Sequence, residues 1–193
     1  MILEYERKNY PAPWIEVTKA FDEEFADALL SYFPSEIYST DYDGRRSCTN
    51  NFRTFVNKDN NPQLTEMFKD WDTSTSRDFF SEISGVDCSD GILRVELCQD
   101  STGFYLNKHI DIPEKYITLQ VYLGDGDESW GTSIYDNDKL YHTNKFIHNT
   151  GWMSFIGSPL IHGIEKNVIN GVRRSIIINY VIDDWNDTDQ LYY

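Results

Sequence analysis

Three side chains in this sequence have the types and spacing to hold a metal ion. His109 and Asp111 stand two residues apart, and on an extended segment residues at that spacing project from one side. They would offer an imidazole and a carboxylate together. A second imidazole, His162, arrives 51 residues after the aspartate. Two histidines and one carboxylate suit non-haem Fe(II) and leave one face of the metal open for substrate or oxygen. Arg173 follows in the basic segment Gly171-Val172-Arg173-Arg174-Ser175, and this context points to an iron oxygenase rather than a structural metal site. A His-x-Asp triplet alone arises readily by chance and then reads as an ordinary loop. The downstream residues give it weight. His142, in a polar loop, and His148, in Phe146-Ile147-His148-Asn149, compete for the third position. Neither precedes a basic strand at short range, so His162 is preferred.

Arg173 and Ser175 alternate and would share one strand face, with Arg174 on the other. An arginine turned inward beside Ile176-Ile177-Ile178 needs an anion to balance it. A guanidinium fork matches a carboxylate, and a nearby hydroxyl adds a third donor. The plain alternative is an edge-strand arginine paired with one of the 32 acidic residues.

These residues need elements to position them. Residues 18–33 read as an amphipathic helix, with Thr18 or Asp22 as its cap, Phe21, Phe25, Leu29 and Phe33 at helical spacing, and Pro34 as its stop. Residues 62–71 suggest a second helix, 76–83 a weaker third, and 48–56 a strand beyond the turn-rich Asp41-Tyr42-Asp43-Gly44. From residue 92 the texture changes. Short apolar segments at 92–97, 117–123, 145–148, 153–156 and 175–182 are separated by glycine-rich turns. Helices followed by many short strands predict a mainly β fold, a double-stranded β-helix (jelly roll, cupin-like) supported by N-terminal helices. Residues 1–193 are expected to form one domain, with 1–91 a mostly helical support, 92–182 the catalytic core and 183–193 a tail. That tail is acidic and solvated, with Trp185 and Leu191-Tyr192-Tyr193 able to pack back on the body.

Composition bounds the function. The chain has 193 residues, 40% of them apolar and 15% aromatic, and a net charge of −15. Such a surface repels phosphate backbones and anionic membranes, so nucleic acid is a poor partner, although a small anionic substrate in a locally basic pocket remains compatible. No apolar run is long enough to span a bilayer. The N-terminus lacks a signal pattern, making a cytoplasmic location the expectation. Cys48, Cys88 and Cys98 are odd in number and scattered, which argues against a disulfide framework or a zinc-thiolate site.

Two stretches carry a family resemblance. "FYLNKHIDIPEKYITLQVYLGDGDESWGTSIY" and "FIGSPLIHGIEKNVINGVRRSIIINYV" resemble the motifs of Fe(II)- and 2-oxoglutarate-dependent dioxygenases, of the prolyl 4-hydroxylase-like branch. The first is similar to that family's His-x-Asp strand, Tyr-Leu strand end and acidic turn. The second is similar to its His-Gly turn and Gly-x-Arg-x-Ser. The likeness covers about residues 92–182. It implies His109, Asp111 and His162 as iron ligands and Arg173, with Ser175 and Tyr122, as the holder of the distal carboxylate of 2-oxoglutarate. By alternation Gln120 and Thr118 share the face of Tyr122, and Gln120 becomes a pocket neighbour. Fe(II), 2-oxoglutarate and O2 are the implied cofactors, with ascorbate as a stimulant. The implied reaction is hydroxylation of an unactivated C–H bond, of a prolyl residue or a proline-like molecule, with 2-oxoglutarate decarboxylated to succinate and CO2.

The substrate class stays open between a peptide or protein and a small molecule, as does the oligomeric state. Trp130, Tyr135 and Tyr141, in polar and irregular stretches, are the candidates for substrate contact. Two departures stand out. Arg173 takes the place of the lysine common in collagen-type enzymes, and Trp130-Gly131-Thr132 replaces a Gly-Gly-Thr turn. The competing readings are a cupin-type metalloenzyme without 2-oxoglutarate and a non-catalytic jelly-roll binding module.

Overall fold

The computed structural model describes residues 1–34, 53–59 and 61–192. Eleven strands among them form two antiparallel sheets. The large sheet has seven strands in the order β1-β2-β9-β6-β11-β4-β3, and the small one has four in the order β5-β10-β7-β8. The strands are β1 (Glu4–Lys8), β2 (Trp14–Lys19), β3 (Arg53–Phe55), β4 (Ile92–Asp100), β5 (Leu106–His109), β6 (Lys115–Leu123), β7 (Ser133–Asp136), β8 (Lys139–Thr143), β9 (Gly151–Phe155), β10 (Ile161–Ile164) and β11 (Arg173–Val181). From β4 onward the chain passes repeatedly between the two sheets, with only β7 and β8 joined as a hairpin within one. This is the double-stranded β-helix expected from the alternation of short strands and turns.

The two faces of the large sheet differ in chemistry because side chains alternate along each strand. On β11 the outward residues Ile176, Ile178 and Tyr180 join Leu93 and Val95 of β4 and Leu119 of β6 in the main core. Three helices cover this face. Helix α1 (Glu23–Leu30) carries Glu23 and Glu24 in its first turn, where carboxylates complement the helix dipole. Helix α2 (Pro62–Met67) starts with the Asn61 side chain accepting the Leu64 N–H at 3.1 Å and a proline in its first turn, a favourable opening. Helix α3 (Ser74–Ser84) is capped by the Thr73 hydroxyl and stopped by Gly85 at φ 79°, which a residue without Cβ adopts at least cost. Leu29, Phe68, Trp71 and Phe80 deliver the helices' apolar side to the sheet.

Several expectations change. The helix read over 18–33 begins only after Asp22, because Trp14–Lys19 is strand β2. Ile15 and Val17 alternate into the core there, and Val, Ile and Thr favour the pleated surface. The segment 62–71 divides into α2 and a separate 3-10 turn at Lys69–Trp71. No strand forms at 145–148. Phe146 and Ile147 are followed by Asn149 at φ 63°, whose side chain bonds both the N–H and the carbonyl of Phe21. Among its described residues, the N-terminal region supplies strands β1, β2 and β3 to the large sheet as well as the three helices. Of the strand read at 48–56, Arg53–Phe55 is present; Cys48 and the turn at 41–44 lie outside the described residues. Cys88 and Cys98 are both buried. The tail packs back: Leu191 and Tyr192 are buried, and the Tyr192 hydroxyl donates to the Thr65 carbonyl at 2.6 Å.

Candidate metal centre and its cavity

His109 ends β5, Asp111 follows two residues later, and His162 lies opposite His109 in the β5–β10 pairing. One donor atom from each lies within 4.8 Å of the others. The two imidazole rings are 4.3 Å apart between centroids. Gly163 permits the close strand approach: a Cβ there would meet the Leu106 carbonyl oxygen at 2.6 Å. The histidine's neighbour is therefore part of how the second imidazole is brought to the first.

The donors are preset. His109 Nδ1 lies 2.8 Å from the Asn107 carbonyl oxygen and His162 Nδ1 3.1 Å from that of Leu160. A proton held on each Nδ1 by those carbonyls leaves Nε2 with its lone pair for a metal. Burial pushes the His162 pKa down to about 4, against the opposing pull of Asp111, so the ring is neutral at physiological pH. Burial alone would raise the Asp111 pKa, but Lys115, His162, the Ser154 hydroxyl and His109 together hold it down to about 2. Ser154 Oγ donates to Asp111 Oδ2 at 2.7 Å, and Lys115 Nζ to Oδ1 at 3.3 Å. Trp152 packs against His162 with ring centroids 4.6 Å apart. Two imidazoles and a carboxylate are the donor set that Fe(II) takes, and these residues fit that metal.

The three donors open on a cavity of about 270 Å³ between the sheets, whose wall includes Gln120, Thr132, Trp152 and Ile164. Behind that wall runs a polar network on the inner face of the large sheet. Gln120 donates to Ser175 Oγ at 3.0 Å and accepts from Thr132 Oγ1 at 2.9 Å and Trp152 Nε1 at 3.0 Å. Tyr122 Oη accepts the Thr132 N–H at 2.8 Å. Arg173 is fully buried. Its Nε donates to the Trp130 carbonyl at 2.7 Å, Nη1 to Asp100 Oδ2 at 2.7 Å and Nη2 to Thr132 Oγ1 at 3.4 Å. The guanidinium also lies 5.2 Å from the Tyr122 ring centroid. Arg173, Ser175, Gln120 and Tyr122 thus belong to one connected cluster, of which Gln120 meets the cavity directly. The amide, phenol, hydroxyls and guanidinium suit a carboxylate at this end, with the arginine's charge already shared with Asp100.

The aromatic candidates separate. Trp130 lies in the smaller apolar cluster beside Phe146. Its turn needs Gly131, where a Cβ would fall 1.5 Å from the Asn144 carbonyl oxygen. Tyr135 is buried and donates to Glu165 at 2.7 Å. Tyr141 is exposed and packs edge-on against Tyr10. None of the three lines the metal cavity. The rival histidines are engaged elsewhere. His142 sits on β8 against Trp14, and His148 Nδ1 accepts the Gly124 N–H at 2.9 Å. Lys115, Ser154, Thr132 and Asp100 were not singled out from sequence. Ser154 is a small polar residue without a distinctive motif, and Thr132 enters the sequence reading only as the end of the Trp130-Gly131-Thr132 turn. Asp100 could have been found by pairing β4 with β11, where it lies opposite Arg173.

No family model and no curated protein matches the sequence. Solved structures do match the fold. A prolyl-4-hydroxylase from Pseudomonas putida aligns over 88% of this chain and 92% of its own, with a TM-score of 0.59 at 12% identity. A viral collagen prolyl hydroxylase from Paramecium Bursaria Chlorella virus-1, in its 2OG complex, aligns over 88% and 96% with a TM-score of 0.58 at 13% identity. An oxidoreductase of the 2OG-Fe(II) oxygenase family from Burkholderia pseudomallei aligns over 80% and 76%, TM-score 0.55, at 16% identity. The chain has the jelly-roll fold of these oxygenases. On it the two histidines and the aspartate are gathered at one cavity.

Proposed function

We propose that the chain is an Fe(II)- and 2-oxoglutarate-dependent dioxygenase that hydroxylates an unactivated C–H bond, in a prolyl residue or a proline-like molecule. The observation that carries this reading is the convergence of His109, Asp111 and His162 on a cavity whose far wall leads to Arg173. The prolyl assignment draws on the motif resemblance over residues 92–182 and on the structural likeness to prolyl hydroxylases. When bound, Fe(II) and 2-oxoglutarate would supply oxygen activation at the expense of the oxoacid, which leaves as succinate and CO2.

The chain's own residues bind and orient. His109 and His162 would offer Nε2, and Asp111 a charged oxygen whose partner groups, Ser154 and Lys115, fix its orientation. Arg173, Tyr122, Ser175 and Gln120 would receive the diacid's far carboxylate, with Thr132 linking the guanidinium to the cavity wall. Trp152 and Ile164 supply apolar walls that limit water around the metal.

The test is an anaerobic titration of metal-free protein with Fe(II) and 2-oxoglutarate, following the weak visible metal-to-ligand charge-transfer band, with Arg173→Ala in parallel. A band that needs both additions, and a weaker cosubstrate affinity in the variant, is expected. Metal binding without the band would favour a metalloenzyme that does not use 2-oxoglutarate, a reading to which the existing Arg173–Asp100 pair lends support. Folded protein that takes up no metal would leave a non-catalytic binding module.

A further inference from the structure

A second concavity, about 250 Å³, adjoins the metal cavity on the side away from Arg173. Asp111, Lys115 and Thr118 line both spaces and form the threshold between them. Beyond it the groove is walled by Ile110, Ile112, Pro113, Phe155, Ile156 and Leu160. Ile110 and Ile112 are each 49% exposed, an uncommon use of two isoleucines in a surface this polar. Their side chains flank a metal donor. This is where an apolar body would find contact next to the reacting centre.

The threshold carries a charge. Among the described residues lining the two spaces, the acidic and basic side chains other than the histidines are Glu96, Asp111 and Lys115. Glu96 is paired with Arg94 at 3.0 Å, both buried. Lys115 is therefore the one lysine or arginine that reaches either space, and its side chain is only 22% exposed. Its contact with Asp111 is a long one, 3.3 Å, on Oδ1, while Oδ2 is held by Ser154. An ammonium so placed has donors to spare, and partial desolvation strengthens its attraction for an anion. A metal drawing on the Asp111 charge would strengthen that attraction further.

We infer that Lys115 selects a prime substrate bearing one carboxylate on an apolar body, with the carboxylate on Lys115 and the body in the isoleucine groove. Across Ile112 the surface continues into a concavity lined by Glu114, Asp184 and Asp187. These carboxylates disfavour a second anionic group at the far end, so a monocarboxylate is preferred. The inference rests on the oxygenase reading and narrows it toward a small acid rather than an internal residue of a protein.

The experiment uses the full chain loaded with Zn(II), a redox-silent stand-in, with 2-oxoglutarate added. Isovalerate, isocaproate and cyclopentanecarboxylate are compared with their primary amides by ligand-observed NMR titration. Each acid should bind at least about tenfold more tightly than its amide, the scale of one oriented charge contact. Lys115→Met should erase the difference, and Lys115→Arg should retain part of it. Ile112→Asp, which leaves Lys115 in place, should also weaken the acids; it keeps the idea testable should Lys115→Met fail to fold. Equal binding of acid and amide, or no binding of either, overturns the inference. So does a Lys115→Met protein that loses affinity for 2-oxoglutarate but not for the acids, because Lys115 would then serve the cosubstrate. Calorimetric binding of Zn(II) and 2-oxoglutarate in the same samples separates the two levels. If both bind and the acids are not preferred, only this inference falls; if neither binds, the oxygenase reading falls.

Discussion

The two faces of strand β11 follow opposite rules. Outward, Ile176, Ile178 and Tyr180 pack against the helices in a nearly continuous apolar core. Inward, Arg173, Ser175 and Asn179 are fully buried yet polar, and each is hydrogen-bonded. Asp100 lies in register beside Arg173, and Thr118 and Arg94 beside Asn179, while Ser175 accepts from Gln120, two residues along β6 from its register neighbour Tyr122. A buried polar face costs stability unless every group finds a partner. The helix-backed face supplies the stability that lets the inner face carry buried polar groups beside the candidate metal centre. Substitutions on the outward face should damage folding, those at the cavity should damage the site, and Arg173, buried between the two, should affect both.

The largest effect is expected at the inner face's edge, where Asp111 meets the cavity. Asp111→Ala removes the only carboxylate of the three donors. Metal affinity should fall by on the order of a thousandfold, an even share of what a small protein metal site supplies. The proposed hydroxylation should disappear with it. Isothermal titration with Fe(II) under anaerobic conditions, or with Zn(II), reads the loss. A variant that keeps stoichiometric tight binding would remove Asp111 from the site.

Arg173 tests whether the two roles can be separated. Arg173→Met leaves the Asp100 carboxylate buried without the guanidinium, and losing one partner of a buried pair costs about 3–5 kcal/mol. Chemical denaturation should show that loss. Adding Asp100→Asn to make a double variant should return most of the stability, yet 2-oxoglutarate affinity should stay low. If the double variant binds the cosubstrate normally, the arginine is a structural member of the sheet alone.

The outward face gives the contrast. Ile178→Ala should destabilise by about 3 kcal/mol, within the range for truncating a fully buried aliphatic side chain. Metal affinity in the folded variant should be unchanged. A substantial change in metal binding would mean that the faces are coupled through the strand rather than independent.

What could be read in the sequence follows the same division. The clustering of the candidate donors was legible because ligand chemistry restricts residue type and spacing together: His109 and Asp111 are separated by one residue, and His162 precedes a glycine that the strand approach requires. The jelly roll was legible from short apolar segments between turns. Strand β2 was not, since the period of Phe21 and Phe25 carries the helix reading back to Thr18, within the end of a strand that pairing with β9 fixes. Strands β7 and β8 were missed because their mixed polar residues, such as Lys139 and His142, carry little alternation. The partner of Arg173 was missed for a different reason. Asp100 lies 73 residues away, and only the β4–β11 register brings the pair together.

The smallest expected effect lies one step behind the metal. Ser154, on β9, donates its hydroxyl to Asp111 Oδ2 at 2.7 Å and is itself buried. Ser154→Ala keeps the strand, since alanine occupies no more room than serine and the apolar neighbours Met153 and Phe155 point to the opposite face. What is lost is one orienting contact on a donor that Lys115 still holds through Oδ1. Such supporting groups are typically worth 10–100-fold, or about 1.4–2.7 kcal/mol, in metal affinity, and the remaining lysine contact argues for the lower end. Metal titration of Ser154→Ala should therefore show a loss of about tenfold, with the thermal midpoint of the metal-free protein nearly unchanged. Ser154→Thr, which retains the hydroxyl, should recover part of the affinity. A Ser154→Ala protein whose metal affinity equals that of the parent would mean that Lys115 alone orients Asp111, and that the inner face contributes less to the metal centre than its hydrogen bonds imply.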